Sequence, residues 1–92
     1  MKKYDILVTN RFKRDVKTMI KRNLDIQQLD EVVEILASGE SLDSRYRDHE
    51  LKGDWIGYRE CHISPDWLLI YRIEDKLLIL TLTRTGSHSD LF

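Results

Sequence analysis

The sequence predicts an α+β domain in which an antiparallel sheet is covered on one face by two N-terminal helices. Three observations predict this class: a short alternating apolar stretch at the start, two stretches with helical periodicity after it, and three closely spaced alternating stretches at the end. The element order is therefore β-α-α-β-β-β. Because the last three strands are joined by short connections, we expect an antiparallel meander that the first strand joins.

The length and composition indicate one small domain. A chain of 92 residues has room for a single compact core, so we predict one domain over residues 1–92. Its 41% apolar and 34% charged residues are typical of a soluble protein, and no apolar run approaches the ~18 residues of a membrane span. The first residues also lack the apolar region of a secretion signal. We expect a cytoplasmic protein that has no membrane partner.

The cysteine content and the charge distribution further limit the kinds of site and partner that this protein can have. Cys61 is the only cysteine in the sequence, which excludes an internal disulfide and a cysteine-rich zinc site and leaves strand packing as its expected role. The net charge is −1, but residues 1–22 carry eight lysines and arginines against two aspartates, whereas residues 23–40 carry five acids and no base. Such a basic block either solvates one helix face or contacts an acidic or phosphate-bearing partner.

The first two elements are a short strand and a basic amphipathic helix. Tyr4, Ile6 and Val8 recur at every second position, which is the spacing of one strand face. Thr9 or Asn10 then caps a helix with its basic residues mostly on one side. Its apolar residues recur at helical spacing on the other side, at Phe12, Val16, Met19 and Ile20.

A second amphipathic helix and a long polar loop come next. Asp25 and Gln28 resemble a capping box, and Gly39 ends the helix. Residues 40–54 are polar and aperiodic and close near Gly53, so we predict a loop. Loops of this length inside small domains are often functional.

The C-terminal part predicts three strands and a tail. Alternation runs from residue 55 to 63, a turn follows at 64–66, and further strands are predicted at about 67–73 and 77–84. The tail that follows is too short for a helix of its own, and we expect it to fold back on the sheet. The sheet face opposite the helices is then open, which is the natural place for a ligand.

Titratable side chains gather around this predicted face. Tyr58, Glu60 and His62 share one side of the strand 55–63, while His49 lies in the long loop and His88 in the tail. Taken singly, each histidine has an ordinary explanation as a surface residue, a strand-end hydrogen-bond partner or a mobile tail residue. With Glu60 and Asp66 they can instead converge in one cleft.

Such a set suits the cleavage of RNA without a metal. Imidazole has an ordinary pKa of about 6.5, so near neutral pH one ring can accept a proton while another donates one. Cleavage needs a base for the 2′-OH, a donor that stabilises the charged phosphorane, and an acid for the departing 5′ oxygen. Aromatic side chains such as Tyr58 and Phe92 can stack on a base.

A metal site is the alternative use of the same residues. Three histidines and an aspartate form an acceptable ligand set, but Pro65 lies between His62 and Asp66 and prevents the helical spacing of HExxH sites. We therefore predict no metal and no cofactor. Phosphate-binding glycine loops, nucleophile elbows and zinc-finger spacings are also absent from the sequence.

The segments DHELKG, YRECHISPDW and RTGSH…LF resemble the YafQ group of the RelE superfamily, the toxins of bacterial toxin–antitoxin pairs. The likeness covers nearly the whole chain. It implies an α/β sandwich of RelE type and an mRNA interferase, a metal-independent endoribonuclease that cleaves mRNA in the ribosomal A site. It points to His49, His62, Asp66 and His88 as functional residues, with Glu60 and Phe92 matching secondary positions.

The resemblance also implies partners. A cognate antitoxin neutralises such a toxin, and the complex contacts operator DNA only through the antitoxin. The basic first helix can bind this antitoxin or ribosomal RNA. Arg84, at the end of a strand and two residues before a glycine turn, fits either an RNA phosphate contact or a structural ion pair.

Two other functions stay open on the residues alone. One is a non-catalytic module that binds the ribosome or a nucleic acid and blocks translation without cleavage. The other is a metal-dependent nuclease or hydrolase.

Overall fold

The structure is a computed structural model that describes residues 2–92. These residues form five strands, three α-helices and two short 3-10 turns, at Ser44–Tyr46 and Gly53–Trp55. In chain order the elements are β1 (Asp5–Val8), α1 (Asn10–Lys21), α2 (Ile26–Ala37), β2 (His49–Glu50), β3 (Arg59–Ser64), β4 (Trp67–Glu74), β5 (Ile79–Gly86) and α3 (His88–Leu91). The predicted α+β class is confirmed. Within residues 2–92, every helix is too short or too polar to span a lipid bilayer.

The five strands form one sheet in the order β1-β5-β4-β3-β2. The predicted meander is confirmed, since β3 pairs antiparallel with β4 and β4 pairs antiparallel with β5. The expectation of a fully antiparallel sheet is wrong at one edge, where β1 pairs parallel with β5 and Ile6 lies opposite Leu80. Tight turns force an antiparallel sense only on strands that are consecutive in sequence. Most of the chain separates β1 from β5, so no turn constrains their relative direction.

Both predicted helix starts are confirmed. The Thr9 side chain accepts a hydrogen bond from the Phe12 amide at 2.9 Å, and the Asp25 side chain accepts one from the Gln27 amide at 3.0 Å. The helices pack on one face of the sheet. The buried core between them includes Phe12, Met19, Leu29, Val32, Leu36, Cys61, Trp67, Leu69, Tyr71, Leu80 and Leu82. Burial raises the pKa of the Cys61 thiol, in accord with its expected packing role.

The other face of the sheet is only partly open. Leu68 and Ile70 of β4 are fully buried there beneath Leu91 of the tail, and Trp55 and Tyr58 pack against the same cluster. The expectation of a bare face is therefore wrong over β4, because its two large aliphatic side chains, Leu68 and Ile70, need cover from water. Tyr58 belongs to this cluster.

Local structure in the loop and tail also differs from the predictions. The loop 40–54 contains β2, and β3 starts only at Arg59 because Gly57 adopts a positive φ of 91° after the 3-10 turn. The tail does form a helix, α3, although it has only four residues. Ser87 and Asp90 form a capping box that satisfies its first amides.

Candidate active site

The three histidines meet at one end of the partly open face. The His62 ring centroid lies 5.6 Å from that of His88 and 6.5 Å from that of His49. His62 is on β3, His49 on the neighbouring β2, and His88 is the first residue of α3. Residues from a loop strand, a central strand and the tail therefore share one cleft, as the sequence predicts.

Glu60 lies beneath two of these rings. It is only 4% exposed, and its Oε1 atom is 3.5 Å from Nε2 of His62 and 3.7 Å from Nε2 of His49. The pairing of β3 with β2 sets this position, since Glu60 and His49 lie directly opposite each other. A carboxylate in this position can accept a hydrogen bond from a protonated ring nitrogen of either histidine. Such a bond would fix the orientation of that ring.

Asp66 orients the third ring. Its Oδ1 atom accepts hydrogen bonds from the backbone amide of His88 at 3.0 Å and from the ring Nδ1 of His88 at 2.7 Å. These two hydrogen bonds, that of the amide first, hold the pKa of Asp66 below its usual range. An ionised Asp66 makes Nδ1 the proton-bearing nitrogen, so that Nε2 is left to exchange a proton with a substrate.

The segment that carries His49 is held by a partly buried hydrogen-bond network that was not predicted from the sequence. The neighbouring Asp48 accepts hydrogen bonds from the guanidinium of Arg59, at 3.3 and 3.2 Å, and from the Tyr71 hydroxyl. Desolvation first, and the Asp48 carboxylate second, raise the pKa of Tyr71. The ring Nδ1 of His49 lies 2.8 Å from the carbonyl oxygen of Arg47. Asp48 stands in the DHELKG segment, but nothing local in the sequence pairs it with Tyr71.

Arg84 and Phe92 lie in different surroundings. The Arg84 guanidinium contacts the Asp15 carboxylate of α1 at 2.7 and 3.2 Å, which is the ion-pair alternative of the sequence analysis. Its contact with RNA stays a prediction. Phe92 is 60% exposed and its ring lies 6.5 Å from that of Trp55, so one face is accessible for stacking.

A groove adjoins His62. Its volume is about 600 Å³, and it runs from His62 along the turn after β3 towards α2. Arg45 and Arg47 line it from the loop side, and Glu31 lines it from α2. Two guanidinium groups beside His62 suit a phosphate-bearing strand that enters the cleft.

One subset of the cleft can hold a metal ion. Glu60, His62 and His88 each offer one ligand atom, and these atoms lie within 4.8 Å of one another. Two imidazoles and a carboxylate are ligands that zinc and similar ions accept. This set differs from the pair His62 and Asp66 considered in the sequence, because the fold brings it together from a strand and the tail.

The arrangement has the parts of a metal-free acid–base site. Glu60 lies next to the rings of His49 and His62, and Asp66 holds the ring of His88. The centroids of neighbouring rings are 5.6 and 6.5 Å apart. A reacting group in the cleft can therefore lose a proton to one imidazole and gain one from another.

Comparison with known proteins places the chain in a family. Residues 4–92 match the model of a family described as bacterial toxin of type II toxin-antitoxin system, YafQ. The mRNA interferase toxin YafQ of Escherichia coli strain K12 is 42% identical over 89 residues, which cover 96% of this chain and 95% of that relative.

Solved structures agree with this assignment. The crystal structure of the E. coli DinJ-YafQ toxin-antitoxin complex matches with a TM-score of 0.90 at 38% identity, covering 98% of each chain. The crystal structure of a metal-bound toxin from Helicobacter pylori matches with a TM-score of 0.91 at 42% identity, covering 97% of this chain and 99% of that one. This chain belongs to the YafQ family of bacterial toxins of type II toxin–antitoxin systems.

Proposed function

We propose that this protein is an mRNA interferase that stops translation by cutting mRNA in the ribosomal A site, with histidine acid–base catalysis and no metal. The observation that carries the proposal is the convergence of His49, His62 and His88 on one cleft beside Glu60 and Asp66. The name of the E. coli relative, an mRNA interferase toxin, supports mRNA as the substrate class.

The chemistry follows from the positions of the rings. One imidazole removes the proton of the ribose 2′-OH, and the 2′ oxygen attacks the adjacent phosphorus. The bond from phosphorus to the 5′ oxygen breaks, and a second, protonated imidazole gives its proton to that oxygen. The products are a 2′,3′-cyclic phosphate and a 5′-OH. His88, held through Nδ1 by Asp66, presents Nε2 to this exchange.

The surrounding surface suits a polyanionic partner. Arg45 and Arg47 in the groove beside His62 contact the backbone of the incoming strand. Phe92 stacks on a base next to the scissile bond, and such a contact contributes about 1–3 kcal/mol per base. The exposed cations of α1 bind ribosomal RNA in the active state.

A cognate antitoxin is the second kind of partner of this protein. The complex of the E. coli relative supports a cognate antitoxin encoded with this toxin, which reaches operator DNA only through its own DNA-binding part. The basic face of α1 receives an acidic segment of that antitoxin. The toxin acts in the cytoplasm, where ribosomes are.

Mapping of 5′ ends on translated messages tests the proposal. Wild-type protein is expected to create new ends inside reading frames, while His62→Ala and His88→Ala remain folded and lose on the order of 10²–10⁴ in rate. A substrate with a 2′-deoxy nucleotide at the cut site is expected to stay intact, and EDTA is expected to leave cleavage unchanged. If translation stops while messages stay whole, the protein is a non-catalytic ribosome-binding module.

A further inference from the structure

We propose that Arg22 and Asp90 are positioning residues for His88, and that they act by fixing the tail helix α3 against α1. The inference rests on the proposed function, in which His88 exchanges a proton with the RNA. Neither residue touches the reacting atoms. Their role is to set where the His88 ring stands relative to His62.

The contact between the two residues has bidentate geometry. Nη1 of Arg22 lies 2.6 Å from Oδ2 of Asp90, and Nη2 lies 3.0 Å from Oδ1. Exposed ion pairs usually contribute little, but a fork-to-fork Arg–carboxylate pair fixes direction as well as distance. The two hydrogen bonds from Arg22, together with that from the Ser87 amide, hold the pKa of Asp90 well below its usual range.

The same carboxylate also starts the helix. Oδ2 of Asp90 accepts a hydrogen bond from the Ser87 amide at 2.8 Å, and the Asp90 amide donates to the Ser87 hydroxyl at 3.2 Å. Asp90 therefore joins the capping box of α3 to the C-terminal end of α1. A helix of four residues is not stable by itself, so α3 depends on such contacts.

Three anchors hold α3. Leu91, 8% exposed, packs on the cluster of Leu68 and Ile70, and Asp66 holds the first residue, His88. Both anchors lie on the side of α3 that faces the sheet and the turn before β4. The ion pair is the third anchor and ties the helix to α1, which limits rotation about the other two. A shift of about 1 Å in a catalytic group can cost on the order of 10²-fold in rate.

Mutants of the pair test this role in the intact protein. Asp90→Asn keeps an oxygen for the Ser87 amide but removes the charge that faces Arg22, and Arg22→Gln removes the other partner. Each of these two substitutions is expected to lower the rate of cleavage about tenfold. Arg22→Lys keeps the positive charge without the bidentate geometry and should keep part of the activity. Lys76→Gln, which removes an exposed cation from the β4–β5 turn, is the matched control and should cleave like the wild type.

Non-additivity shows whether Arg22 acts through His88. In a His88→Ala background, Arg22→Gln is expected to cause no further loss, because the ring that it positions is gone. A further tenfold loss in that background would overturn the proposal and assign Arg22 to another step, such as contact with ribosomal RNA.

A second readout does not depend on activity. In NMR relaxation of the isolated toxin, the amides of residues 87–92 and the ring of His88 are expected to become more mobile in Arg22→Gln, while the ring of His62 does not change. Unchanged relaxation in the tail would overturn the proposal. Full cleavage by His88→Ala would instead overturn the proposed function, and the relaxation data would still report whether the ion pair orders α3.

Discussion

Asp66 holds His88 through two hydrogen bonds to a single carboxylate oxygen, one from the backbone amide and one from the ring, across a separation of 22 positions in the chain. The amide bond fixes where the residue sits, and the ring bond fixes which nitrogen carries the proton. Asp66 thus sets both the position and the tautomer of a proposed catalytic group.

We expect Asp66→Asn to lower cleavage on the order of 10²-fold or more with little loss of stability, because the amide keeps the shape but no longer favours the proton on Nδ1. Single-turnover cleavage and thermal unfolding measure the two effects. Asp54→Asn, at an exposed position of the 3-10 turn Gly53–Trp55, is the control. A variant as active as the wild type would remove Asp66 from the site.

Acid is expected to loosen the tail before it unfolds the protein. The pKa values of Asp66 and Asp90 are both lowered in the fold, so their stabilising contacts are fully present above the ordinary value of about 3.9 and are lost as pH falls through the folded values. Protection factors at residues 87–92, which correct for the slower intrinsic amide exchange in acid, should therefore decrease below about pH 4 while the sheet stays protected. In Asp90→Asn this dependence should be reduced, and uniform loss of protection across the chain would contradict the expectation.

Glu60→Gln is expected to lower cleavage without unfolding the protein. The change keeps the buried volume but removes the negative charge next to His62 and His49, so both rings lose the carboxylate beside them. The pH dependence of cleavage separates this effect from a packing defect, because only loss of the charge moves the profile. Glu40→Gln, at an exposed position after α2, provides the comparison.

Zinc is expected to inhibit this enzyme. The atoms of Glu60, His62 and His88 can ligate the ion, and a ligated imidazole can no longer exchange a proton with RNA. Cleavage measured with micromolar Zn²⁺ should fall and should recover with EDTA. His88→Gln removes one ligand and should weaken zinc binding in calorimetry, whereas activation by zinc would support the metal-dependent alternative.

Tyr71→Phe is expected to destabilise the fold by about 1–3 kcal/mol, because Asp48 loses a partner in a partly buried network. Urea unfolding measures this effect. Since Asp48 is next to His49 in the chain, we also expect the rate of cleavage to fall, but by less than in Asp66→Asn. Tyr46→Phe removes a hydroxyl that accepts a hydrogen bond from the exposed Arg45, and it should change stability far less.

The sequence by itself determined the parts of the fold that depend on neighbouring residues. Periodicity and the caps at Thr9 and Asp25 set both helices, and short connections set the meander. The motif residues of the H-x-x-PDW turn and of the tail indicate the candidate site from the sequence alone. These signals are local, so they can be read without knowing what packs against them.

Only the tertiary structure decided which residues that are distant in the chain contact each other. The parallel pairing of β1, the ion pairs of Arg22 with Asp90 and of Arg84 with Asp15, and the hydrogen bond of Tyr71 to Asp48 join positions 23 to 74 residues apart. A charge or a hydroxyl in sequence does not indicate its partner at such separations. The physical reason is that each of these contacts forms only when the packed core has brought two chain segments to a fixed distance and direction.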